Sequence, residues 1–183
     1  LKADGSVVTW GHRMAGGDCS QIQAQLAVDV QTICSNDWAF AALKADGSVV
    51  TWGQVYVWDS SSVASELSSG VTTIFTTNYT SFAALKEDGS VVSWGAYGRD
   101  SSSVASELSS GVTTIYSTEY AFAALKDDGS VVTWGLATHG GDSISVASEL
   151  SNDVTTIYST VSAFAALKDD GSVVTWGVGP YGG

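Results

Sequence analysis

The stretch that decides the fold is Phe122-Ala-Ala-Leu-Lys-Asp-Asp-Gly-Ser-Val-Val-Thr-Trp-Gly135. Two apolar runs flank Asp128-Gly129, a pair typical of a two-residue hairpin turn, because a type I′ turn needs positive φ at both central positions. With that turn, Leu125 would pair with Val132 and Ala123 with Trp134. Small or apolar side chains then occupy both faces of the hairpin, which predicts a sheet that is covered on both sides.

This hairpin motif recurs along the whole chain. The pattern Leu-Lys-x-Asp-Gly-Ser-Val-Val-(Thr/Ser)-Trp-Gly occurs five times, with successive offsets of 42, 42, 40 and 42 residues. Its turn glycines are Gly5, Gly47, Gly89, Gly129 and Gly171. Self-similarity at this period indicates a repeat architecture, so we expect one array over residues 1–183.

The array divides at the repeats. We expect a hairpin at 1–11, units at about 12–53, 54–95, 96–135 and 136–177, and a tail at 178–183. The chain begins at the motif leucine, Leu1, without the Phe-Ala-Ala that precedes this leucine in the other repeats, and the single methionine is Met14. We therefore expect the chain to be a fragment of a longer one.

Each unit also carries a third strand and a short capping segment. Residues 112–118, Val-Thr-Thr-Ile-Tyr-Ser-Thr, are mostly β-branched and predict the strand. In the preceding segment, Val104 and Leu108 are four residues apart, Asp100 comes before them, and Gly111 follows. This pattern indicates a short helix or helical turn, with an extended segment as the alternative. Three short strands cannot bury both faces alone, so the units must stack, radially as a propeller or linearly as a solenoid.

The Trp-Gly that closes a hairpin every forty-odd residues, as in 122–135, resembles the repeat of the regulator of chromosome condensation family. The repeat style is more similar still to that of the short-repeat bacterial member, β-lactamase inhibitor protein II. There Ala-Leu-Lys…Trp-Gly is followed by a Thr/Val-rich segment and Ser-Gly-Val, similar to Ser110-Gly111-Val112 here. The resemblance implies an all-β repeat protein: a β-propeller of mostly three-stranded blades, seven in the family, whose functions lie in its loops.

The sequence departs from that family in three ways. The Val-Pro step of the inhibitor's repeat is Val-Ala here, as at Val104-Ala105. The Gly-Gln-Leu-Gly signature of the longer repeats is absent, leaving Gly16-Gly17-Asp18 and Gly140-Gly141-Asp142. Four and a half units are also too few for seven blades. We therefore expect a partial or open β-propeller, built of three-stranded blades of about 40–42 residues with short helical turns between strands.

Composition excludes several classes of protein. The formal net charge is −12, from seven Lys+Arg against nineteen Asp+Glu, which argues against sequence-independent binding to nucleic acid. The hydrophobic content of 44% argues against intrinsic disorder. No apolar run approaches the roughly 18 residues of a membrane span.

The segments that follow each Trp-Gly differ in length and residue type, whereas the hairpins are nearly identical. Variable segments of repeat proteins map to one face, often the binding face, and Tyr, Trp and Arg are enriched in interface hot spots. We therefore expect a non-catalytic protein-binding or structural scaffold that acts through these loops. The alternative is that the loops vary because packing does not constrain them. The candidate partner-binding residues are His12, Arg13, Met14, Tyr56, Trp58, Tyr97, Arg99, His139 and Tyr181.

Two other functions stay open. An accessory subunit of a larger protein assembly, with a plastid or photosynthetic complex as one host, would also use nearly uniform repeats. A second variable stretch, between the third strand and the hairpin, contains Trp38, Tyr79 and Tyr120. These three residues could form an aromatic ledge that stacks on sugar rings, which would make the chain a carbohydrate-binding propeller. Exposed turn aromatics are more often packing residues.

Catalytic and metal-binding motifs are not indicated. Asp127-Asp-Gly-Ser130 lacks the alternating carboxylates and distal Glu of an EF-hand-type calcium loop. His12 and His139 lie in different units without zinc-ligand spacing, and no Gly-x-Ser-x-Gly elbow occurs. We expect neither an enzyme nor a bound metal or cofactor. Cys19 and Cys34 are either a disulfide or two free thiols, and the compartment stays open.

Overall fold

The structure, a computed structural model, describes residues 1–54, 57, 59–96 and 100–179. These residues form four three-stranded antiparallel sheets, which we call blades 1 to 4. Blade 1 contains β1 (Val30–Ser35), β2 (Ala39–Lys44) and β3 (Val49–Gly53), and blade 2 contains β4 (Val71–Thr76), β5 (Ser81–Lys86) and β6 (Val91–Gly95). Blade 3 contains β7 (Val112–Ser117), β8 (Ala121–Lys126) and β9 (Val131–Gly135), and blade 4 contains β10 (Val154–Ser159), β11 (Ala163–Lys168) and β12 (Val173–Gly177).

Within each blade the strands follow one another in chain order. The first strands of neighbouring blades contact each other, whereas the third strands contact the short turns that join the blades. The four blades therefore stand side by side, first strands along one side and connecting turns along the other. This is the predicted all-β array of three-stranded blades.

The type I′ turn predicted at Asp128-Gly129 is wrong. Gly129 has φ +77, but the only described non-glycine residues with positive φ are Asp29 and Asp153. The Lys126 N–H donates to Ser130 O at 2.9 Å, and the Gly129 N–H donates to Lys126 O at 3.0 Å. These bonds enclose a three-residue loop, a type I turn followed by a left-handed glycine.

The longer loop shifts the strand register by one residue. Leu125 pairs with Val131, and Phe122 pairs with Trp134. The predicted pairs of Leu125 with Val132 and of Ala123 with Trp134 are therefore wrong. Because side chains alternate between faces, the shift puts Phe122 and Trp134 on one face, where their rings stack at 5.1 Å.

The two faces of a blade are unlike, and that difference joins the blades. One face carries the Phe–Trp stack, and the other carries alanines and a leucine. Phe122 and Trp134 of blade 3 pack with Ala83 and Leu85 of blade 2 in one buried cluster. Blades 1 and 2, and blades 3 and 4, share equivalent clusters. Burying each aromatic ring contributes about 1.5–3 kcal/mol, and the small alanines let the next ring approach.

The connecting segments form short 3₁₀ turns, which confirms the expected helical turns. The eight described turns are Arg13–Ala15, Ser20–Ile22, Ser61–Val63, Glu66–Ser68, Ser102–Val104, Glu107–Ser109, Ala137–His139 and Ile144–Val146. In blade 3, Leu108 points from such a turn into the buried cluster. The Lys126 ammonium donates to the main-chain oxygen of Glu107 at 2.9 Å, so the motif lysine holds the turn in place.

The first eleven residues differ from the hairpin expected there. Their turn is formed, with the Lys2 N–H donating to Ser6 O at 2.8 Å, but residues 1–11 contain no strand. Trp10 is 83% exposed, whereas Trp52, at the same repeat position, is buried. No helix in the described part of the chain is long and apolar enough to cross a membrane.

Enlarging the small face should separate the blades. Ala123 is fully buried against blade 4, whereas Ala165, at the same repeat position, is only half-buried on the outer face of blade 4. We expect Ala123→Leu to lower the free energy of unfolding by about 1–3 kcal/mol through overpacking. The matched Ala165→Leu should change it by less than about 0.5 kcal/mol. Urea titrations measure both values, and equal losses would contradict the proposed packing.

The turn aspartates form the same bond in every motif. In blade 3, Asp128 Oδ1 accepts from Ser130 Oγ at 2.6 Å and from the Ser130 N–H at 2.9 Å. These two bonds lower the pKa of the Asp128 carboxyl below its ordinary 3.8, and the bond from the hydroxyl has the larger effect. The pKa values of Asp4, Asp46, Asp88 and Asp170 are lowered for the same reason.

Because folding lowers the pKa of Asp128, the stability that its bonds to Ser130 contribute depends on pH. The stabilisation is fully present above the unfolded-state pKa of about 3.9 and is lost as pH falls through the lower folded-state pKa. The difference in unfolding free energy between wild type and Ser130→Ala should therefore be largest above about pH 5 and shrink below about pH 4. As a control, the hydroxyl of Ser151 donates only to a main-chain oxygen, so the effect of Ser151→Ala should not change with pH. Urea titrations between pH 2 and 7 test this, and a Ser130→Ala effect that is equal at both ends would refute it.

Candidate binding face

Among the described residues, the variable turns between the first two strands and the variable segments that follow each Trp-Gly meet at one end of the blades. The turn between the first two strands and the chain leaving the third strand lie at the same edge, whereas the Asp-Gly turns lie at the opposite edge. Main-chain bonds join the two kinds of segment: the N–H groups of Gln54, Ala96, Leu136 and Val178 donate to the oxygens of Trp38, Thr80, Tyr120 and Ser162 at 3.0–3.2 Å. We call this edge the loop face. It comprises residues 12–17, 36–38, 54, 77–80, 96, 118–120, 136–141 and 160–162.

Four rings on the loop face touch in sequence across three blades. Trp38 meets Tyr79 edge-on, with centroids 6.4 Å apart. Tyr79 and Tyr120 are 5.1 Å apart, and Tyr120 meets the His139 ring at 4.7 Å. We call these four residues the aromatic row. The structure thus brings together the three rings of the expected ledge and adds His139, which sequence reasoning had placed only among the variable loops.

The turns that carry the row are fixed by their own side chains. Asn36 Oδ1 accepts from the N–H groups of Trp38 and Ala39 at 3.0 and 2.9 Å. In blade 3 the buried Thr118 Oγ1 accepts from the Ala121 N–H at 3.1 Å and donates to His139 O at 2.9 Å. Asn and Thr at these positions are the sequence signal for such turns. The rings are therefore held in place before any ligand binds.

The Gly-Gly-Asp segments have a structural role on the same face. Trp176 Nε1 donates to Gly140 O at 3.0 Å, and Trp52 Nε1 donates to Gly16 O at 3.2 Å. Blades 2 and 3 are preceded by segments without this glycine pair. Accordingly, the buried indole N–H groups of Trp94 and Trp134 have no acceptor among the described residues.

The structure describes four of the nine candidate partner-binding residues. His12, Arg13 and Met14 are exposed together in one 3₁₀ turn and its cap, and Met14 is 66% exposed. Arg13 Nε forms an ion pair with Asp18 at 3.1 Å. His139 is half-buried against Tyr120. The remaining candidates, Tyr56, Trp58, Tyr97, Arg99 and Tyr181, lie outside the described residues.

Charge is distributed unevenly between the two edges. On the loop face, exposed Asp37 and half-buried Glu119 directly precede Trp38 and Tyr120. All five lysines precede Asp-Gly turns at the opposite edge, and three of them donate to main-chain oxygens of 3₁₀ turns. The aromatic row on the loop face therefore lies beside carboxylates.

The two cysteines are free thiols and not a disulfide. Cys19 belongs to the buried cluster on one side of blade 1, and Cys34 packs against the cluster on the other side, so the blade separates them. Burial raises the pKa of the Cys34 thiol, which disfavours the reactive thiolate. Within the described residues, no group of three or more His, Cys, Asp or Glu side chains could hold a metal ion.

Comparison with known proteins rests on structure. No family model matches this chain, and no curated protein sequence matches it. The similar solved structures include three with TM-scores above 0.5. The ectodomain of the Physcomitrella patens receptor kinase CR4 is 17% identical, with a TM-score of 0.55, over 98% of this chain and 45% of that one. Yeast RCC1 (Prp20) bound to Kap60 is 16% identical, with a TM-score of 0.58, over 92% of this chain and 51% of that one. Prp20p of Saccharomyces cerevisiae, described with its binding to Gsp1p and histones, is 16% identical, with a TM-score of 0.56, over 92% of this chain and 52% of that one.

The fold is that of an open RCC1-type β-propeller. At 16–17% identity the similarity shows the fold alone. The chain spans about half the length of the solved structures it matches. The closer similarity to β-lactamase inhibitor protein II stays a prediction.

Gly135 lets the segment 136–141 lie against the aromatic row. A Cβ at Gly135 would stand 2.6 Å from Tyr120 O and 2.7 Å from Ala121 Cα, whereas a Cβ at Gly11, with the same φ of +111, meets nothing within 4 Å. We expect Gly11→Ala to lower stability by about 1–2 kcal/mol through backbone strain alone. Gly135→Ala should cost at least about 1 kcal/mol more and should shift the NMR signals of the Tyr120 and His139 rings. Equal losses without ring shifts would contradict this role of Gly135.

Proposed function

We propose that this chain is a non-catalytic protein-binding scaffold that contacts its partner through the loop face. The observation that carries the proposal is that the variable segments meet at one edge, where four aromatic rings form a continuous row. The rest of each blade is committed to packing between neighbours. The loop face is therefore the part of the molecule that sequence can vary without disturbing the fold.

The make-up of the loop face suits a protein partner. Trp and Tyr are enriched at interface hot spots, because they offer large rigid contact areas at low entropic cost. The turns are already held by Asn36 and Thr118, so binding requires little further ordering. Proteins bind to other proteins with this fold: Prp20p is described with its binding to Gsp1p and histones. The charge of −12 makes a nucleic-acid partner unfavourable.

A permanent place in a larger assembly is the second candidate. Val173 and Tyr158, on the outer face of blade 4, are about 60% exposed, although the matching face of blade 3 is covered by blade 4. A neighbouring subunit, or a further blade of a longer chain, would cover this apolar surface. The carbohydrate-binding alternative rests on the same four rings and stays a prediction.

Capture experiments test the use of the loop face. Immobilised wild-type chain would be compared with Trp38→Ala/Tyr120→Ala, and with Glu87→Ala/Asp127→Ala at the Asp-Gly turns of the opposite edge. Proteins from the extract of the encoding organism that bind wild type should be retained about tenfold less by the loop-face variant and equally by the opposite-edge variant. Quantitative mass spectrometry measures retention, and circular dichroism confirms that both variants are folded.

Equal retention by all three proteins would refute a binding role for the loop face. Loss with the opposite-edge variant alone would place the partner on the Asp-Gly turns. A further variant with alanine at Tyr56, Trp58, Tyr97 and Arg99 tests the candidate residues outside the described part of the chain, and unchanged retention would remove them from the proposed site.

A further inference from the structure

The aromatic row is flanked by carboxylates, and that combination selects a partner chemistry. We infer that the row binds a polypeptide segment that presents arginine or lysine side chains along one side. This inference rests on the proposed protein-binding function of the loop face and names the chemical class of its partner.

The spacing of the rings suits the side chains of a polypeptide segment. Successive centroids in the row are 6.4, 5.1 and 4.7 Å apart. Side chains on one side of a polypeptide recur at a similar spacing, about 5.4 Å per turn of a helix and about 6.6 Å at alternate positions of an extended chain. A segment that lies along the row can therefore place successive side chains beside successive rings.

The charges around the row favour cationic side chains. Asp37 and Glu119 directly precede Trp38 and Tyr120, and neither forms an ion pair with a described residue. Of the described cations, Arg13 on the loop face is paired with Asp18, and the five lysines stand at the opposite edge. A cation over an aromatic face gains from the ring quadrupole, most strongly with Trp, and a nearby carboxylate adds to that attraction. An anionic segment would be repelled.

The row is also held together across the blades. The Asp37 N–H donates to Asn78 O at 3.2 Å, which ties the tip of the blade 1 turn to that of blade 2. The Glu119 N–H likewise donates to Val161 O at 3.1 Å, from blade 3 to blade 4. The carboxylates at positions 37 and 119 therefore keep their places beside the rings. Recognition of successive cations needs such a fixed spacing, because mobile rings would lose the match to a regular chain.

The test uses a defined peptide with a fluorescent label. The probe is acetyl-Gly-Arg-Gly-Arg-Gly-Arg-Gly-amide, compared with peptides in which citrulline or glutamate replaces every arginine. Citrulline keeps the shape and hydrogen-bonding groups of arginine but lacks its charge. By fluorescence anisotropy, the arginine peptide should bind at least about fivefold more tightly than the citrulline peptide, and its affinity should fall when the salt concentration is raised from 50 to 300 mM.

Variants assign this binding to the row. Trp38→Ala should weaken binding of the arginine peptide about fivefold or more, and the isosteric Asp37→Asn should weaken it about threefold. The matched control is Tyr158→Ala, which removes a 62% exposed tyrosine outside the loop face and should leave affinity unchanged. Asp37 uses only its main chain to hold the turn, so Asp37→Asn keeps the test valid even if Trp38→Ala proves unstable.

Two results would overturn the inference: equal affinity for the arginine and citrulline peptides, or equal weakening by Tyr158→Ala. Binding of the glutamate peptide or of cellohexaose at the row, without binding of the arginine peptide, would replace the inferred class by an acidic peptide or a glycan. If capture depends on the loop face but the arginine peptide does not bind, the proposed function stands and only the partner class is wrong.

Discussion

The structure depends on one contact, repeated between every pair of blades: a stacked Phe–Trp pair of one blade packs on the alanines and leucine of the blade before it. The alanines are poor strand formers, but no larger residue would leave room for the next ring. Because each blade has one large face and one small face, stacking continues in a single direction. A blade by itself would expose both faces, so it gains stability only from its neighbours.

That contact also explains where variation is tolerated. Strand residues are fixed by both neighbours, and the Asp-Gly turns at one edge are fixed by their Asp–Ser bonds and by the lysines that hold the 3₁₀ turns. At the other edge the bonds that recur in all four blades join main-chain groups, which accept many side chains, so its segments differ in length and composition. The aromatic row arises there because consecutive blades bring their corresponding turns, each with a Trp or Tyr, side by side. Function is therefore expected at the edge that packing leaves unspecified.

The acidic composition has two parts in the folded chain. Most carboxylates belong to the repeated turns and 3₁₀ segments, where they accept hydrogen bonds or face solvent, and they recur because the unit recurs. Asp37 and Glu119 do not recur in this way: they stand beside aromatic rings on the loop face. The net charge of −12 thus reflects repetition for the most part, whereas two unrepeated carboxylates give the loop face its specific chemistry.

The sequence by itself determined the period, the three strands of each unit and the helical turns, because these follow from local turn chemistry and from a hydrophobic pattern seen five times. That pattern left a propeller and a solenoid open, and the resemblance of the repeat to the regulator of chromosome condensation family implied the propeller. It could not distinguish a two-residue from a three-residue loop at Asp-Gly, since both use a left-handed glycine, and the register was therefore predicted one residue off. Only the tertiary structure decided that Phe122 stacks on Trp134 and that His139 joins Trp38, Tyr79 and Tyr120. Those contacts join residues of different strands and blades, and their distances depend on how the blades stack, which no local pattern encodes.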